Sequence, residues 1–96
     1  MEKGAPRLKI PPELLDDVKA WNEGDVELFL AENKKAYRIK EVYIQAIKDQ
    51  ELCGNNLLHF ELQHFRDCGV PLGPAANIFD LVTELKIAKR LVLPGT

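Results

Sequence analysis

The sequence predicts an all-α fold of five helices, three of them short, with the longest helix last. Two observations predict it. Apolar side chains recur at i, i+3, i+4 spacing in several separate segments, and no stretch of useful length shows the strict alternation of a half-buried strand. Composition supports the same reading: 96 residues suffice for one domain, and 46% hydrophobic with 29% charged residues supplies a core and argues against disorder. Short helices bury little apolar surface alone, so they need the long C-terminal helix as a common platform.

Residues 1–12 hold three basic residues, Gly4 and three prolines without apolar periodicity, and read as a flexible N-terminal arm. The helical domain is expected over residues 13–93, with a tail at 94–96. Glu13 to Ala20 fits a short helix after Pro12, with Leu14, Leu15 and Val18 on one side. Trp21 to Asn33 is a stronger helix. Asn22 caps it, Asp25 stands three residues on as in a capping box, and Val26, Phe29 and Leu30 form its apolar stripe.

Asn33-Lys34-Lys35 breaks that pattern. The next stripe, Ile39, Tyr43, Ile44 and Ile47, predicts a helix ending at Asp49. Gly54 interrupts, and Leu57-Leu58 sits in a turn or two of helix. Phe60, Leu62 and Phe65 mark a further short helix that Gly69 ends in the C-cap manner. Gly73-Pro74 then opens the last helix, with Pro74 at the first helical position, where a missing N–H costs nothing. Ile78, Leu81, Val82 and Leu85 give its stripe, which runs on to Arg90 or Val92. The core expected from these patterns is Trp21, Val26, Phe29, Leu30, Ile47, Leu57, Leu58, Phe65, Ile78, Leu81 and Leu85.

Several function classes find little support. No apolar run is long enough to span a bilayer, and the first fifteen residues lack the apolar stretch of a signal peptide. The two cysteines therefore read as reduced thiols, in the cytoplasm or nucleus and within a larger protein. Cys53, His59, His64 and Cys68 are the only Cys and His residues, and His64 and Cys68 are four apart, as zinc ligands on one helix face can be. Cys53 and His59, six apart, lack a standard pairing, so no metal or cofactor is expected. No acyl-transfer motif, carboxylate pair or phosphate loop is present, there is no serine, and Thr83 and Thr96 are the only threonines, so no enzyme is expected.

Charge falls in three groups. Lys34, Lys35, Arg38 and Lys40 form one basic cluster, and Lys86, Lys89 and Arg90 a second; either suits phosphate or anionic lipid. Tyr37 and Tyr43 read as packing rather than base-stacking residues, so nucleic acid and membrane stand as the alternative partners, not the expected ones. The third group is acidic: Asp49, Glu51, Glu61 and Asp67 against Arg66 give a net −3 over residues 49–67.

Trp21-Asn22-Glu23-Gly24-Asp25-Val26-Glu27-Leu28-Phe29-Leu30 resembles the opening of a sterile alpha motif (SAM) domain, Trp-Ser/Thr-x-x-Asp-Val-x-x-Phe/Trp-Leu. Tyr43-Ile44 through Leu52, then Gly54-x-x-Leu57-Leu58-x-Phe60, is similar to the family's middle segment. Phe65 to Val70 resembles the close of its fourth helix, and Leu72-Gly73-Pro74 with Ile78 and Leu85 the start and inner face of its fifth. The likeness runs over about residues 21 to 86 in order and spacing.

The resemblance implies a five-helix SAM-like bundle that binds another SAM domain, its own copy or a different one, in a signalling or scaffold protein. Such domains often associate head to tail, a mid-loop face against an end-helix face. The mid-loop-like residues here are Asp49, Glu51, Asn55, Asn56 and Glu61. The end-helix-like residues are Leu72, Gly73, Pro74, Ala75 and Asn77. Many members carry cations just after the glycine of this last helix; here Pro74 and Ala75 stand instead, so self-association through it should be weak and an Arg at position 75 should strengthen it. Glu61 replaces the usual Ser or Thr before the fourth helix and is a poorer N-cap.

Overall fold

The structure, a computed structural model, describes residues 8–14 and 17–89. Leu15, the reach of the last helix to Arg90 or Val92 and the tail at 94–96 lie outside these residues. The described residues form six α-helices and no strand: α1 (Glu23–Glu32), α2 (Lys34–Tyr37), α3 (Glu41–Lys48), α4 (Gly54–His59), α5 (Leu62–Asp67) and α6 (Leu72–Ala88). A 3-10 turn, Val18–Ala20, precedes them.

Helix α1 begins where its own residues supply a reciprocal cap. Asn22 Oδ1 accepts the Asp25 N–H at 2.9 Å, and Asp25 Oδ2 accepts the Asn22 N–H at 3.0 Å. Asn33 ends α1, but the chain then turns one more helical turn, α2, before Arg38 stops it in the left-handed region at φ 56°. The expected break at Asn33-Lys34-Lys35 is therefore a joint between two helices, which raises the count from five to six.

Two other expectations are corrected. Glu13–Ala20 is not an α-helix: its described parts are a turn, with the Leu14 N–H on the Pro11 carbonyl at 3.1 Å, and the 3-10 turn. Prolines 11 and 12 offer no N–H donors, and the Asp17 carboxylate, by accepting the Lys19 N–H at 3.0 Å, caps the 3-10 turn that forms instead. Nor is all of residues 1–12 a free arm. Pro11 is buried, Leu8 and Ile10 pack on the core, and the Lys9 backbone is held at both ends by Asn33.

Helix α6 is the platform. Pro71 caps it, and the first intrahelical bond runs from the Ala75 N–H to the Pro71 carbonyl at 2.8 Å. Pro74 thus sits at the third helical position, not the first. Its missing N–H still costs nothing, because no N–H of the first turn has a partner inside the helix. Ala75, Ile78, Leu81, Val82 and Leu85 form its buried face, against which α5, α4 and α2 pack, while α1 packs on α3 and α4.

Every residue of the expected core is buried. Trp21 and Phe29 meet ring to ring at 5.2 Å, and Phe60 and Phe65 at 5.1 Å. Gly54 joins the 3-10 turn to α4: its N–H donates to the Trp21 carbonyl at 2.9 Å, and a Cβ there would lie 1.9 Å from the Val18 carbonyl oxygen. Only glycine permits that approach.

Candidate functional site

The acidic segment lies along the corner formed by the end of α3, the loop 49–53, α4 and the entry to α5. Asp49 caps α3; its carboxylate accepts a hydrogen bond from Gln45 Nε2 at 2.9 Å. Two further turn bonds follow, Gln50 N–H to the Ile47 carbonyl and Glu51 N–H to the Lys48 carbonyl, and they hold Glu51 at φ 57°. A left-handed glutamate costs about 1 kcal/mol, kept here by the turn on one side and the anchored Gly54 on the other. The Cys53 N–H donates to Asn56 Oδ1 at 3.1 Å, as does its thiol, so Asn56 caps the start of α4. His59 Nδ1 lies 2.8 Å from the Asn55 carbonyl, which puts its proton on Nδ1. Glu61 opens α5 and donates its N–H to His64 Nδ1 at 2.8 Å.

Asp49, Glu51, Asn55, Asn56 and Glu61 are all exposed. Among the described residues the salt bridges are Lys34–Glu41 and Lys48–Glu27. The carboxylates of Asp49, Glu51 and Glu61 therefore face solvent without a cation among the described residues. A negative surface of this kind suits a partner that brings positive charge or helix N–H groups.

The end-helix residues divide. Leu72 is 54% exposed and Gly73 is exposed, with open space where a side chain would extend. Pro74 and Asn77 are half-buried. Ala75 is fully buried and belongs to the core, not to a binding surface. This corrects its placement in the end-helix face: residue 75 stands one step before Ile78 on the buried stripe, so an arginine there would point into packed side chains.

The remaining polar side chains have local roles. His64 spends Nδ1 as an acceptor and stacks at 5.0 Å on Phe60, and among the described residues no three His, Cys, Asp or Glu side chains converge. Burial, with the Asp67 carboxylate second, raises the Cys68 thiol above its ordinary 9.0, which favours the unreactive protonated form. Tyr37 is buried and its hydroxyl donates to the Glu84 carboxylate, tying α2 to α6, while Tyr43 packs against the core. The first basic cluster surrounds an open groove lined by Lys34, Lys35, Arg38, Ile39, Lys40 and Glu41. Sequence patterns missed Asn33, the left-handed Glu51 and buried Ala75; only for Ala75 did a signal exist, since the α6 stripe extends backward by three.

The described residues thus form a small bundle of short helices on one long one, with an exposed corner that carries charge. The family model of the SAM-like domain matches residues 3–84. The chain belongs to the SAM-like domain family, whose members serve generally as protein-interaction modules and are typically non-catalytic. No curated protein and no solved structure matches it. Among the described residues no helix is long and apolar enough to cross a membrane.

Proposed function

We propose that the domain binds another SAM-like domain through its acidic α3–α5 corner, within a signalling or scaffold protein of the cytoplasm or nucleus. The observation that supports this reading is the set of exposed carboxylates at Asp49, Glu51 and Glu61 that no cation of the described residues neutralises. The counterpart is the start of the long helix of a partner, where first-turn N–H groups and about half a positive charge attract an anionic surface. In this chain that start offers exposed Leu72 and Gly73 but no cation, so a partner with a basic helix start binds better than a second copy does.

The chain itself supplies the probe. Gly73 is exposed with free space around it, so Gly73→Arg adds the absent cation without disturbing the core. Titration calorimetry should show the Gly73→Arg variant binding wild type more tightly than wild type binds itself, by about 1–3 kcal/mol. Asp49→Lys with Glu51→Lys in the wild-type partner should remove that gain and leave the fold intact, because exposed charges contribute little to stability. A gain that survives the double reversal would show that the acidic corner is only a solvated face.

A further inference from the structure

The cations absent from the α6 start stand at the α2–α3 corner. Lys34, Lys35, Arg38 and Lys40 line an open groove of about 420 Å³, together with buried Ile39 and exposed Glu41. Lys34 engages Glu41, whereas Lys35, Arg38 and Lys40 are exposed and make no ion pair among the described residues. The backbone fixes this corner: the Lys34 carbonyl accepts both the Arg38 N–H and the Ile39 N–H, the latter at 2.8 Å.

Two residues of the groove stand where local preference is against them. Arg38 is left-handed at φ 56°, a conformation that glycine or asparagine takes with less strain. Lys40 is the N-cap of α3, where its side chain caps no N–H and sits at the positive end of the helix. Asp, Asn or Ser would suit that position on both counts. Departures of this kind concentrate at functional sites, and here both bring a cation to one depression.

The lining also selects among anions. Buried Ile39, and Val42, which follows Glu41 and is 62% exposed, offer apolar contact that a row of phosphates does not use. The Glu41 carboxylate interrupts the positive row and repels closely spaced phosphates. Tyr37 is buried and Tyr43 packs against the core, which leaves neither tyrosine to stack on a base.

We infer that the groove binds an extended acidic segment of a partner protein, its carboxylates on Lys35, Arg38 and Lys40 and an apolar side chain against Ile39 and Val42. Alternate side chains of an extended chain share one face, so acidic and apolar residues two apart enter the groove together. The site is separate from the acidic corner, because Lys40 and Asp49 bracket the eight residues of α3, about 12 Å of helix. Occupancy of one surface therefore leaves the other open.

Fluorescence anisotropy of a labelled peptide, Glu-Gly-Glu-Gly-Leu-Gly-Glu, titrated with the whole chain at about 50 mM salt tests this, with circular dichroism as the fold control. Binding should saturate, and Lys35→Glu with Lys40→Glu should weaken it at least about tenfold. Lys86→Glu with Lys89→Glu alters the net charge equally and should weaken it less than about threefold. Glycine in place of the peptide's leucine should weaken it about fivefold, through lost apolar burial. Equal losses from the two reversals would reduce the effect to net charge and overturn the groove, as would the absence of binding. An RNA hairpin or phosphatidylserine vesicles bound more tightly than the peptide, and lost on the groove reversal, would assign the groove to phosphate and overturn the acidic segment as its occupant.

Discussion

Asn33 is a polar side chain with no exposed surface, and its amide is fully used. It donates to the Phe29 carbonyl at 2.8 Å and the Lys9 carbonyl at 2.7 Å, and accepts the Lys9 N–H at 2.7 Å. It therefore binds the N-terminal segment to the α1–α2 joint. Asn33→Ala should cost about 2 kcal/mol, since it removes three hydrogen bonds, one buried and two part-buried. Urea unfolding checks this, and an unchanged midpoint would mean that the Lys9 segment detaches freely. In the sequence Asn33 begins a polar triplet with Lys34 and Lys35 and reads as a break. What buries it is a backbone 24 residues away, which no local pattern reveals. The same holds for Glu51, whose left-handed backbone follows from turn bonds rather than from residue type.

At the scale of helices, legibility followed periodicity. Helices α1, α3 and α6 are each two turns or more in length, and their apolar stripes lie in the core or pack against it. Helix α2 has four residues, too few to show a period, and its place is set by Asn33 and by the Tyr37–Glu84 contact. The Glu13–Ala20 stretch shows the opposite error: apolar spacing suggests a helix where the described residues form a turn and a 3-10 turn. Gly54 was legible as an interruption, but its reason, the closeness of the Val18 carbonyl, is a tertiary one. The start of α6 gives a prediction at this scale. Ala75→Arg should not strengthen association as its position in the sequence suggests; it should lower the melting temperature by ten degrees or more, because a buried unpaired cation in a domain of this size costs about 3 kcal/mol or more. Gly73→Arg, two residues earlier, should melt within a few degrees of wild type. Equal melting of both would place residue 75 at the surface.

Across the whole molecule, a net charge of −2 conceals a separation of sign: carboxylates about the end of α3 and α4, cations about α2 and the start of α3. Both clusters were legible as runs of charge, because surface charge needs no tertiary partner to be recognised. Their exposure was not legible, nor was the consumption of Lys34, Glu41, Lys48 and Glu27 in ion pairs that leave the outer charges unmatched. The central claim is that the acidic corner is a binding surface, and its most direct test reads every backbone amide at once. Proton–nitrogen correlation spectra of the labelled wild type should be recorded while unlabelled Gly73→Arg variant is added. Saturable shifts concentrated in residues 49–61, and suppressed by salt, are expected. Shifts that leave residues 49–61 unmoved while another surface responds would contradict that claim.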